Sequence, residues 1–202
     1  MSALSLDPRT TALVVIDLQK GIAAGHLVPH PAADVVAHAA ALARRCRERG
    51  VLVVLVHVDP GPGGALFPMP QADRPRPAFS PPPDFADFVP ELAPTPSDAV
   101  VLKHQPNAFY ATDLEVHLAR RGIRTIVLCG VATNLGVEAT ARAAHERGFE
   151  QVFVEDAMAA RAADLHAFPV ARTFPTMGRV RSTADVLAAL DALDALDAAP
   201  NA

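Results

Sequence analysis

The sequence predicts an α/β protein, a three-layer αβα sandwich around a mostly parallel sheet of about six strands. Short β-branched apolar runs alternate with longer Ala-rich segments of helical period, the pattern of successive βαβ units. The apolar runs carry almost no polar alternation, as expected of strands covered on both faces. Glycine closes the helical segments at Gly50, Gly122 and Gly148.

In chain order, strands are expected at 12–16, 51–58, 99–102, 125–129 and 151–154, with a short sixth near 178–181. A helix over about 32–49 sets Val35, Ala39, Leu42 and Cys46 on one stripe, which accounts for Cys46 as a core residue. A second helix is expected from the capping box Thr112-Asp113-Leu114-Glu115 to Gly122. A third spans about 134–147. The last opens on a second capping box, Ser182-x-x-Asp185, and turns Val186, Leu190 and Leu193 inward.

The chain has 202 residues, 50% of them hydrophobic and 20% charged, which provides one sizeable core and excludes a disordered chain. We read 1–202 as a single domain. A net charge of -4 and the absence of a basic patch exclude nucleic acid as the expected partner. Two cysteines, Cys46 and Cys129, provide no disulfide framework, and no ligand spacing for a metal is evident along the chain. With no signal-like start and no apolar run long enough to span a bilayer, a cytoplasmic protein without a membrane partner is expected. Between Pro60 and Pro106 lie 13 of the 19 prolines, so a functional loop or lid is expected at about 60–97. Phe79, Phe85 and Phe88 serve either as its hydrophobic underside or as anchors to the body.

Ligands of parallel sheets bind beyond the carboxyl ends of the strands. Three strand ends there carry chemistry: Asp17, with Gln19 two residues on; Lys103; and the small-residue turn Gly130-Val131-Ala132-Thr133-Asn134-Leu135-Gly136, which leads into a helix. An acid and a base brought to one sheet edge shift each other's pKa, and a helix start beside them offers free NH groups. Singly, each has a plain structural use as a cap or a paired charge. Thr133 and Asn134 are good helix caps as well as candidate substrate contacts. His104 and Gln105 either line the pocket or face solvent. His57 and Asp59 lack a third ligand, and His166 and Pro169 read as structural.

The segments Val14-Val15-Ile16-Asp17-Leu18-Gln19, Lys103 with Asn107-Ala108-Phe109, Leu128-Cys129-Gly130-Val131-Ala132-Thr133-Asn134 and Val137-Glu138-Ala139-Thr140-Ala141-Arg142 resemble the isochorismatase-like hydrolases, the cysteine hydrolase superfamily. The resemblance covers nearly the whole chain and implies a Rossmann-like fold. It implies a catalytic aspartate at Asp17, the family's lysine at Lys103, and a non-proline cis peptide before Ala132, whose NH helps form an oxyanion hole. It implies substrate contacts from Gln19, Phe109, Ala132, Thr133 and Asn134, no cofactor, and a homodimer or homotetramer. Where cysteine-dependent members place their nucleophile, this chain has Gly136. Neither Cys46 nor Cys129 is placed to replace it, so covalent amide hydrolysis is not expected. Isochorismatases that lack the cysteine use the aspartate as a general acid on an ether bond. They also tend to carry an aromatic and a histidine where this chain has Ala132 and Asn134, which leaves the substrate open. The rival expectation is a binding or regulatory protein that kept the fold and lost turnover with the cysteine. A thiol-dependent amidase would require Cys129 to be accessible.

Overall fold

The computed structural model describes residues 4–67, 71, 73 and 80–197. Six parallel strands, β1 (Thr11–Ile16), β2 (Leu52–Val58), β3 (Ala99–Lys103), β4 (Thr125–Val131), β5 (Glu150–Ala159) and β6 (Arg179–Arg181), form one sheet in the order β3-β2-β1-β4-β5-β6. The helices are α1 (Lys20–Ala23), α2 (Ala32–Glu48), α3 (Leu114–Arg120), α4 (Glu138–Glu146), α5 (Ala163–Phe168) and α6 (Thr183–Asp197). Among them none is long and apolar enough to cross a membrane.

The strand order reverses direction at β1, and that places the helices on opposite faces. Leu13 and Val15 join the α2 stripe Val35, Ala39, Leu42 and Cys46 and the α6 residues Val186 and Leu190 in one core. Ala12, Val14 and Ile16 face the other way, into a core with Leu114 and Leu118 of α3 and Ala141 and Ala144 of α4. Each fully buried Val or Leu contributes about 1.5–3 kcal/mol, so two such layers suffice to hold the sheet. The predicted stripe of the last helix holds at Val186 and Leu190, while the side chain of Leu193 lies outside the described residues.

Three expectations need correction. The strand at 99–102 is not covered on both faces: Val100 and Leu102 are 42% and 44% exposed, because β3 is an edge strand and only its Ala99–Val101–Lys103 side meets a helix layer. The strand at 151–154 is too short, since β5 pairs Phe153 with Leu128 and then Met158 with Gly130. That shift loops out Glu155 and Asp156, a polar interruption that ends the apolar run in sequence but not the ladder. The capping box at Thr112 is only half formed: Thr112 Oγ1 accepts from the Leu114 NH at 3.3 Å, but Glu115 pairs with Arg147 at 3.0 Å.

The box at α6 forms as expected. Asp185 Oδ2 accepts from the Ser182 NH at 2.9 Å, and Ser182 Oγ accepts from the Asp185 NH at 3.2 Å. Ser182→Ala is expected to lower stability by about 1 kcal/mol, read as a shift of the thermal midpoint.

The described part of the Pro-rich loop is anchored rather than loose. Phe85 is buried against Gly21, where an added Cβ would stand 2.0 Å from its ring. Lys20 pairs with Asp87 at 3.1 Å and Asp84 at 3.4 Å, and Phe88 packs at a tilt against His57 with ring centroids 4.8 Å apart. Both phenylalanines therefore serve as anchors; Phe79 lies outside the described residues.

Candidate active site

The turning point of the strand order lies between β1 and β4, and a cavity of about 240 Å³ opens there beyond their carboxyl ends. Asp17, Lys103, Ala132 and Gly136 line it together with Ile22, Leu27, Val58, Gln105, Val131, Leu135 and Arg161. Two local features bring the strand ends together. Gly130 runs so close to β1 that an added Cβ would stand 2.1 Å from the Ile16 carbonyl oxygen, and its φ of 111° is open only to glycine. Asp17 has a φ of 53° while its NH still donates to Val56 O at 2.9 Å, so the chain leaves the sheet abruptly with the carboxyl at the strand end. Non-glycine residues held in this region cluster at functional sites.

Lys103 reaches across β2 to Asp17, and its Nζ donates to Asp17 Oδ2 at 2.8 Å and to Pro106 O at 2.8 Å. Both side chains are buried, 1% and 9% exposed for Lys103 and Asp17. Burial pushes the Asp17 carboxyl up to about 6, against the opposing pull of the Lys103 ammonium and of His57. Asp17 Oδ1 is buried with no hydrogen-bond partner among the described residues. A proton on Asp17 therefore belongs on Oδ1, since Oδ2 is occupied by Lys103.

Gly136 completes the floor. A Cβ built there would stand 2.8 Å from Ile16 Cγ2, 3.1 Å from Asp17 Oδ2 and 3.3 Å from Lys103 Nζ. A side chain at 136 would crowd Ile16 and stand directly beside the ion pair. Gly136 sits in a π turn, Thr133–Val137, between β4 and α4, where the sequence predicted plain helix. The peptide Val131–Ala132 is cis, as the resemblance implied.

The other expected contacts stand elsewhere. Gln19 is a brace: its Nε2 donates to Val58 O at 2.9 Å and Phe85 O at 2.8 Å, and its Oε1 accepts from the Val58 NH at 2.8 Å. Phe109 is buried against Phe149, with Arg147 above its ring at 4.8 Å. Thr133 is fully buried, with Oγ1 2.9 Å from His166 Nδ1, and Asn134 is half-buried in the turn without lining the cavity. None of these four lines the cavity. His57 Nδ1 bonds Ala86 O at 2.8 Å and Asp59 accepts from the Gly61 NH at 2.8 Å, so both hold loops. His104 bonds Asp59 O at 2.7 Å, whereas Gln105 does line the cavity. Cys46 and Cys129 are buried and burial pushes both thiols up, so neither is a nucleophile or an accessible thiol.

Sequence reasoning missed Arg161. It lies two residues beyond the end of β5, and the rule that found Asp17 and Lys103 would have found it had the strand been carried through the bulge to Ala159. It also missed a cluster of His30, Glu155 and His166, whose members lie 125 and 11 residues apart in pairs and share no local spacing.

The fold and the site together define a three-layer α/β protein with a buried Asp17–Lys103 ion pair at the turning point of its sheet. The isochorismatase domain family matches residues 11–185, and the chain belongs to this family of hydrolases. It is 46% identical over 187 residues to the isochorismatase family protein YecD of Escherichia coli O157:H7, covering 93% of this chain and 100% of that one. An isochorismatase family structure from Burkholderia thailandensis superposes with a TM-score of 0.88 at 45% identity, covering 94% of this chain and 100% of that one. A ureidoacrylate amidohydrolase of Methylorubrum extorquens is 33% identical over 181 residues, covering 76% of this chain and 71% of that one.

Proposed function

We propose that the protein hydrolyses a small anionic molecule with Asp17 and Lys103 as its acid–base pair and no nucleophilic side chain at Gly136, cleaving an ether-type C–O bond in preference to a C–N bond. The observation that carries this reading is the buried Asp17 carboxyl, raised to about 6, with Oδ2 tied to Lys103 and Oδ1 without a partner among the described residues. A carboxyl raised by an apolar site can donate a proton near neutrality. Asp17 Oδ1–H then protonates the enol-ether carbon, water adds to the oxocarbenium so formed and returns a proton to Asp17, and the resulting hemiketal collapses, breaking the ether C–O bond and releasing an alcohol and a carbonyl product. Lys103 holds the carboxyl in place, and the Ala132 NH stands beside the reacting group. Apolar walls at Ile22, Leu27, Val58, Val131 and Leu135, with Arg161 and Lys103 as two cations against one carboxylate, favour a mainly apolar substrate that carries a negative group.

The chemistry requires no cofactor. The reading extends to one domain with the Pro-rich segment as a lid or loop, a cytoplasmic homodimer or homotetramer, and a small molecule as the only partner.

The test is a panel of small carboxylate-bearing enol ethers, amides and ureides, followed by a pH profile on the best substrate. With Asp17 as acid, the reactive form is protonated and prevails below its pKa of about 6. kcat/KM is therefore expected to be level below about pH 6 and to fall about tenfold per pH unit above it. A profile that instead falls on the acid side of 6 makes Asp17 a base and removes the ether-cleavage reading.

A further inference from the structure

We propose that His30, Glu155 and His166 form a binding site for a divalent transition-metal ion, zinc in preference to calcium or magnesium, which clamps three elements beneath the turn that carries Gly136. The three residues come from the loop before α2, the bulge of β5 and α5. Glu155 Oε1 stands 2.9 Å from His30 Nε2 and 3.1 Å from His166 Nε2, and the three ligand atoms lie within 4.8 Å of one another. Ligands about 2.0–2.2 Å from a tetrahedral zinc lie about 3.3 Å apart, so a small rotation of the His30 ring suffices to close the set. Two imidazole nitrogens and one carboxylate oxygen suit zinc and its neighbours, whereas calcium and magnesium prefer oxygen alone.

The surroundings support occupancy. The Thr133 hydroxyl, 2.9 Å from His166 Nδ1, fixes that ring and leaves Nε2 for the ion, the outer hydrogen bond usual for a metal-ligating histidine. His166 is 4% exposed, while His30 and Glu155 are 29% and 34% exposed, which leaves a path for the ion and for a water as fourth ligand. Because Thr133 opens the π turn that ends at Val137, an ion here stiffens the turn that places Gly136, whatever the substrate proves to be.

The test uses the full chain, stripped of metal and titrated with cobalt(II), with zinc(II) as competitor. One cobalt per chain is expected, with ligand-field absorption of a low-coordinate N/O site, displacement by zinc and a higher thermal midpoint with either ion. His30→Asn and Glu155→Gln, both at partly exposed side chains, are expected to fold and to weaken cobalt binding by more than about tenfold, whereas His57→Asn leaves it unchanged. The proposal is overturned if wild type shows neither absorption nor a midpoint shift. It is also overturned if His30→Asn and Glu155→Gln bind as wild type does, or if His57→Asn abolishes binding, since the ion then sits elsewhere.

Discussion

Asp17→Asn is expected to lower kcat/KM by about 10²–10⁴, the usual contribution of a positioned acid or base. The amide matches the carboxyl in shape and still offers Lys103 an oxygen, but it can neither give nor take the proton that hydrolysis moves. Among the described residues lining the cavity, Asp17 is the only carboxyl. The fold bears a cost as well, because Lys103 is buried and loses its counter-charge. Stranding one member of a buried pair costs about 3–5 kcal/mol. The amide substitution should cost less, since Lys103 Nζ also donates to Pro106 O at 2.8 Å. Lys103→Met is expected to be a second severe lesion in rate. The double mutant should be little slower than either single mutant, because the two groups act as a unit. It should also be more stable than Asp17→Asn alone, because the unpaired ammonium is gone. Kinetics and thermal melts on all four proteins test this. Near-wild-type turnover by Asp17→Asn would refute its catalytic role. Loss of the fold in Asp17→Asn, with wild-type-like turnover in whatever fraction stays folded, would mark the pair as structural and support a binding protein.

The second large effect is expected from Gly136→Cys. A Cβ at 136 stands 3.3 Å from Lys103 Nζ, so the new thiol meets an ammonium that favours its thiolate. Burial pushes the Cys46 thiol up to about 12 and Cys129 higher still. At slightly alkaline pH, alkylation at residue 136 should exceed that of either native cysteine by at least about 10³ in the folded protein. Room must be made for it, because the Cβ also stands 2.8 Å from Ile16 Cγ2 and 3.1 Å from Asp17 Oδ2. A loss of about 1–3 kcal/mol in stability is therefore expected from crowding. Mapping of iodoacetamide adducts over time reads the rates directly. A thiol at 136 that reacts no faster than Cys129 would show that the site cannot activate a nucleophile. Rapid labelling of Cys129 in wild type would reopen the thiol-dependent reading.

By itself the sequence determined the layers and which strand ends carry Asp17, Lys103 and Gly136. Apolar period reports burial, and glycine stops report backbone sign, so β1, β2, β4, α2 and α6 are legible from their own residues. Asp17, Lys103 and Gly136 are legible because each directly follows an apolar run or opens a helix in an α/β chain, and such strand ends converge whatever the details. Only the tertiary structure decided which neighbours these groups have. It placed Gln19, Phe109 and Thr133 in buried packing and hydrogen bonds rather than in the cavity. It made β3 an edge and carried β5 through its bulge to bring Arg161 inward. It also gathered His30, Glu155 and His166 from three elements. The physical reason is common to all of these. Strand order and register are set by packing between residues far apart in the chain, such as Asp17 and Lys103, 86 positions apart, and no local period encodes which side chains then meet.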